Sequence, residues 1–278
     1  MPCDSDADAH SWINRVIAGT RVGELRLPDW LIASHSRFRE TVLDPRYPCY
    51  FGSSAEGRGE LYYAYVERGQ LEHLPQTLST FIAVASTQTN QRNNLAVFFQ
   101  PEPKPLTHDR YRAMFWDCLQ FLHDHDPSPA PRAQMLQPSD ALWEFPFDGA
   151  QFFVVGISPS YVRRHSRNLG PGMLMLFQPR NVFVDDVTGR PISQTSRAIV
   201  RKRLAEWDEI PAHPDLNVYG DPANREWKQY FLPDDQQAGQ SECTLVISSL
   251  EDRQVESERI AAREGVPEPV SSDACPVR

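Results

Sequence analysis

No stretch of about 18 consecutive apolar residues, the length a bilayer-spanning helix needs, occurs anywhere in this 278-residue sequence. The opening MPCDSDADAH is acidic and polar where a secretory signal needs a basic start and an apolar run, so a cytoplasmic protein with no membrane partner is expected. Cysteine is scarce and scattered: the five residues Cys3, Cys49, Cys118, Cys243 and Cys275 form no CxxC pair. That speaks against a disulfide framework and against a zinc site. Spacing motifs for dinucleotide or nucleotide phosphates, HExxH, GxSxG, the deaminase HxE with PCxxC and the EF-hand loop are also missing, which disfavours the corresponding enzyme classes. Basic charge is not concentrated either. The net charge is −9, and residues 234–278, with ten acids and four bases, carry −6 of it. The nearly balanced remainder offers no basic face to nucleic acid or to an anionic membrane.

What is present is a large apolar content, 40% of residues with 10% aromatic, enough for a core that encloses a pocket. No Gly/Ser linker divides the chain. A flexible N-terminus over 1–10, one domain over 11–235 and an acidic, poorly ordered tail over 236–278 are expected, and a chain ending near Gln240 should fold unchanged. Short helices are expected near Ser11–Ile13 and after Pro28, then a Pro/Gly-rich loop from Asp44 to Glu60 and a strand at Leu61–Val66. A helix follows over about 72–88, a strand at Leu95–Phe99 and a helix from Thr107 to Asp126, where Tyr111, Met114, Phe115, Cys118, Leu119 and Leu122 keep helical spacing. Strands at Trp143–Phe147 and Phe152–Ile157 are joined through Asp148-Gly149. A strand pair or bulged strand over 173–184, a helix over 193–209 and a further helix near 251–263 complete the pattern. The mixture indicates an α+β fold, a mixed or antiparallel sheet with packed helices.

Four groups of residues carry candidate chemistry. His123 lies beside Trp116 and Leu119 on the helical wheel, at the flank of the apolar stripe, where a neutral imidazole can ligate a metal or heme iron with Asp124 or Asp126 orienting its second nitrogen. The alternative is a hydrogen-bonded histidine at a helix C-terminus. Arg163, Arg164, Arg167 and Arg180 suit carboxylates through their planar forks; otherwise they pair with acids such as Asp185, Asp186 and Glu206. Cys49, set among aromatics, is either a thiolate ligand or a small buried hydrophobe. Glu144 and Glu226 stand between aromatic residues, as partners of a cationic substrate or of Arg225, Lys228 or another arginine.

Read in order, YPCYFG, FWDCLQFLHDHD, WEFPFDG, FFVVGISPSYVRRHSRNLG, MLMLFQPRNVF, RKRLAEWDEIPAHPDLNVYG and REWKQYFLPDD resemble the successive motifs of the YqcI/YcgG family over about Tyr47–Asp235. The resemblance implies a heme-dependent N-oxygenase acting on a guanidine nitrogen, most like the branch that converts L-arginine to Nω-hydroxy-L-arginine in D-cycloserine biosynthesis. It implies heme b, dioxygen or hydrogen peroxide, and an external electron donor. The LHxxD motif falls on Leu122, His123 and Asp126, which makes His123 the implied iron ligand with Cys49 competing. Arg164, Arg167 and Arg180, with Trp116, become the cofactor contacts, and Glu144, Glu226 and Arg163 the substrate contacts. A heme carrier or sensor without turnover is the alternative.

Overall fold

The computed structural model describes residues 15–87, 92–182, 194–219 and 221–264. The helix expected at Ser11–Ile13 and the acids Asp185 and Asp186 lie outside them. Six strands, β1 (Ile17–Ala18), β2 (Leu61–Val66), β3 (Asn94–Phe99), β4 (Phe145–Phe147), β5 (Ala150–Ile157) and β6 (Leu174–Pro179), form one open sheet in the order β1-β2-β3-β6-β5-β4. Only β2 and β3 run parallel; the other pairs are antiparallel, so the sheet is mixed and the fold is α+β. The helices are α1 (Asp29–Val42), α2 (Tyr50–Arg58), α3 (Leu74–Ser86), α4 (His108–Asp124), α5 (Gln194–Trp207) and α6 (Leu250–Glu264). No helix among the described residues is long and apolar enough to cross a membrane.

Both faces of the sheet are covered, which is why LYYAYV and NLAVFF are apolar runs rather than alternating patterns. Tyr62, Ala64, Leu95, Val97, Met175 and Phe177 pack against α3 and α4 through Leu78, Phe81, Phe115 and Leu119. The intervening residues Leu61, Tyr63, Ala96, Phe98, Leu174 and Ile157 pack on the other face against Leu31, Phe38 and Val42 of α1 and Ala55 of α2. Each such aliphatic or aromatic side chain contributes about 1.5–3 kcal/mol on burial.

Local signals explain the edges. The Thr107 side chain accepts from the Arg110 amide and starts α4, and Asp148 (φ 47°) with Gly149 (φ 73°) makes the tight β4–β5 turn expected of an Asp-Gly pair. Gly156 is required by packing: a Cβ there would lie 2.4 Å from Phe231, whose segment donates no space because the Gly156 amide bonds the Tyr230 carbonyl at 2.7 Å.

Three expectations differ from the structure. Part of the 44–60 loop is helix α2, ended by Gly59 in the left-handed region (φ 70°). Its Gly and Ser content disfavours a helix, but the buried Glu56 carboxylate accepts from Arg39 and from the Tyr63 hydroxyl, and these contacts with α1 and β2 hold the segment. Over 173–182 there is one strand, closed by a single 3-10 turn at Arg180–Val182. The C-terminal segment, expected to be loose, is docked as far as it is described. Leu245 joins the core beside α4, the Val246 backbone exchanges two hydrogen bonds with the Gln120 side chain, and Arg253 donates to the carbonyls of His123, Asp124 and Asp126. Ser249 caps α6, its amide and hydroxyl both donating to Asp252.

Candidate functional site

A cavity of about 240 Å³ lies on the α1/α2 face of the sheet. Its floor is the face of Leu61, Asn94, Val155, Ile157, Leu176 and Gln178, and its walls come from α1 (Phe38, Val42), α2 (Gly52, Ala55) and α5 (Val200, Leu204). Cys49 is the N-cap of α2 and lines this space, its Sγ packed close to Gly52. A helix N-terminus favours an anion, so the thiolate form, which binds metals, is suited to this position.

At the β5 end of the cavity stand two arginines. Arg164 is 2% exposed, and its Nε, Nη1 and Nη2 donate to the carbonyls of Pro233, Pro211 and Asp235. Arg167 donates to the carbonyls of Gly156, Tyr230 and Gln229. Each thus commits three of a guanidinium's five N–H groups to neutral carbonyls and keeps its charge uncancelled by direct ion pairing. Burial, with Arg167 nearby, lowers the Arg164 pKa from its usual value. Asp208 also lines the cavity, and burial raises its pKa although the Ser166 amide and hydroxyl both donate to it at 2.8 Å.

The opposite, polar end lies where β2 and β3 begin. Asn94 is 4% exposed; its Nδ2 donates to the Arg92 carbonyl at 2.8 Å, while its Oδ1 is buried without a hydrogen-bond partner. The Asn94 amide bonds the Glu60 carbonyl at 3.0 Å, and the Arg58 guanidinium donates to the Glu60 carboxylate. Glu60, Arg58 and Arg92 all line the cavity with Asn94. These residues escaped the sequence reading; the only signal was a polar residue opening each of two apolar runs, Glu60 before LYYAYV and Asn94 before LAVFF.

His123 is elsewhere. It ends α4 on the opposite face of the sheet, 3% exposed, and its Nε2 accepts from the Ser248 amide at 2.9 Å. Burial, and then the Arg253 cation, lower its pKa to about 4, so the ring is neutral with its proton on Nδ1, a buried donor lacking an acceptor. No lone pair is left for a metal while Ser248 is docked. Asp126 does not orient this ring; it accepts from the Ser128 and Asp148 amides. Trp116 also belongs to the α4 face, where it meets Trp227 and Tyr230.

The proposed substrate carboxylates form a second polar group. Glu144, 1% exposed, accepts from the Tyr219 hydroxyl at 2.6 Å and from Arg180 Nη1 at 3.3 Å. Burial raises its pKa and these two partners oppose the shift. Arg180 also reaches Gln151, and is thereby drawn away from Arg164 and Arg167. Glu226 accepts from Asn224 and Gln229. Neither carboxylate lines the cavity, and Arg163 is exposed outside it, its amide bonded to Asp234.

The donor set of the cavity fits a heme in kind: a thiol sulfur, an apolar sheet face and two guanidinium groups able to meet propionates. Ligand pockets typically measure about 300–1,000 Å³, so the walls must part to seat a macrocycle in the 240 Å³ described here. Among the described residues no cluster of three His, Cys, Asp or Glu side chains forms a site for a bare metal ion.

Two proteins of Bacillus subtilis (strain 168), the uncharacterized proteins YqcI and YcgG, are 34% and 33% identical to this chain, each over 76% of it and over 85% and 86% of their own lengths. The “Putative N(omega)-hydroxy-L-arginine synthase DcsA” of Streptomyces lavendulae is 26% identical over 84% of this chain and 89% of its own. No solved structure matches. The sequence profile of the YqcI/YcgG family matches residues 38–245, which span strands β2 to β6, the cavity and the docked Leu245, and the chain belongs to that family.

Proposed function

We propose that this protein N-hydroxylates the guanidine group of L-arginine, with heme b held in the cavity over the sheet. The observation that carries the reading is the meeting of Cys49, the apolar floor and the guanidinium groups of Arg164 and Arg167 in one cavity. The name of the Streptomyces relative supports arginine as substrate. Heme b would supply activation of dioxygen or hydrogen peroxide, with an external electron donor in the first case.

The chain's own residues do the rest. Cys49 offers the sulfur ligand, and among the two candidate ligands it is the one in the cavity. Arg164 and Arg167 each have two N–H groups not given to carbonyls, which would bind propionate oxygens. Val155, Ile157 and Leu176 exclude water from the reacting end.

The test is reconstitution of the purified chain with hemin, followed by a visible spectrum and mass analysis of L-arginine incubated with peroxide or a reductase system. A Soret band and a product heavier by one oxygen atom are expected. Absence of the band overturns the reading. A band without product leaves a heme carrier or sensor.

A further inference from the structure

The polar end of the cavity carries groups that heme binding does not use. Glu60 and Asn94 are buried acceptors; Arg58 and Arg92, both exposed, are cations closer to solvent. The orientation of the Asn94 amide follows from its bond to the Arg92 carbonyl, which leaves Oδ1 as a buried acceptor with nothing to accept from. Leaving such an atom unsatisfied is unfavourable, so a donor from a ligand is the natural complement. The register that pairs Leu95 with Phe177 continues to set Asn94 opposite Gln178, which also lines the cavity.

Charge decides which ligand group belongs here. A guanidinium would gain Glu60 but face two like charges, Arg58 and Arg92. A carboxylate alone would suit the arginines but would meet Glu60 and the lone pairs of Asn94. Glu60 and Arg58 already pair with each other; a group with both signs, its cation inward and its anion outward, joins that pair while giving Asn94 Oδ1 a donor and Arg92 an anion. We propose that this end of the cavity is a receptor for the zwitterionic head of an α-amino acid: the ammonium donates to Asn94 Oδ1 and the Glu60 carboxylate, and the carboxylate meets Arg58 and Arg92 at the rim. This rests on the reading that the cavity takes an arginine-like substrate, and it deepens it. The substrate is then held by its free α-amino acid head, with its side chain and guanidine directed away from the polar end.

The experiment is calorimetric titration of the full-length protein with L-arginine, agmatine, which lacks the carboxylate, and 5-guanidinopentanoate, which lacks the ammonium. Wild type should bind L-arginine at least about tenfold more tightly than either truncated ligand. Glu60→Gln and Asn94→Leu should weaken L-arginine on the order of 30-fold and tenfold and leave 5-guanidinopentanoate unchanged, whereas Arg92→Ala should weaken L-arginine and spare agmatine. Asn94→Asp restores an acceptor but not the donor to Arg92, so it should recover L-arginine binding. Equal loss for all three ligands in Asn94→Leu and Asn94→Asp would mark a structural residue and overturn the proposal. Wild type that binds 5-guanidinopentanoate as well as L-arginine, or binds no L-arginine, overturns it too. Protein that binds L-arginine through these residues but never hydroxylates it keeps the receptor and removes the proposed reaction.

Discussion

Ending the chain at Gln240 removes a segment whose composition reads as a dispensable acidic tail, and the structure attaches a cost to its loss. Leu245 is 7% exposed, and returning it to water costs about 2 kcal/mol. The Ser248 amide on His123 Nε2 and the Arg253 guanidinium on three α4-end carbonyls add about 1 kcal/mol each in net terms. The Arg132–Asp252 pair is exposed and adds little. Ordering the segment opposes these gains, and each kcal/mol of net docking lowers the melting temperature of the shortened chain by about 2–4 °C for a domain of this size. The difference should depend on pH. His123 titrates at about 4 when folded, against about 6.5 in the unfolded chain. The folded value is the lower, so its contribution is whole above about pH 6.5 and is lost as pH falls towards 4, up to roughly 3 kcal/mol. Burial lowers His35 and His108 in the same direction, which is why the gap between intact and shortened chains, measured by thermal melts from about pH 7.5 to about pH 4.5, is the informative quantity. It should narrow on acidification. A shortened chain that melts with the intact one at neutral pH would show that the docking contributes nothing.

Cys49→Ala should abolish the Soret band of the hemin-reconstituted protein while His123→Ala keeps it; the opposite result moves the heme to the α4 side. Glu144→Gln should lower stability by about 1–3 kcal/mol, since the Tyr219 hydroxyl and Arg180 lose their anionic acceptor, and leave L-arginine titrations nearly unchanged; weakened arginine binding with unaltered melting would return Glu144 to the substrate site. Gly156→Ala should destabilise by about 1–3 kcal/mol in denaturant melts because its Cβ would sit 2.4 Å from Phe231, and an unchanged midpoint would mean that the 226–231 segment shifts freely.

Helix α4, the apolar strands and the Asp148-Gly149 turn were legible because their signals are local: helical spacing from Tyr111 to Leu122, runs such as LAVFF, and a dipeptide tolerant of positive φ. Helix α2 was not, since Glu56 is anchored from outside the helix, by Arg39 of α1 and by Tyr63 of β2. The site was half legible for a related reason. A strand buried on both sides has no polar alternation to say which residues face which way, so nothing in FFVVGI assigns Val155 to one compartment and Val154 to the other. His123 and the arginines therefore read as one site, although a sheet stands between them. The Cys49 alternative and the pair Arg164 and Arg167 survive as neighbours of one cavity; Arg180 and Glu144 meet each other instead.

Arg164 and Arg167 are at once lining and fastening. Their bonds run to carbonyls between Gly156 and Asp235, so these two side chains tie the 211–235 excursion to the sheet while they shape the space beneath it. The opposite wall is structural as well, since Phe38, Val42 and Ala55 belong to the core packed on that face, but a substitution at either arginine alters pocket and architecture in one stroke, and a loss of activity there says nothing by itself about contact with a ligand.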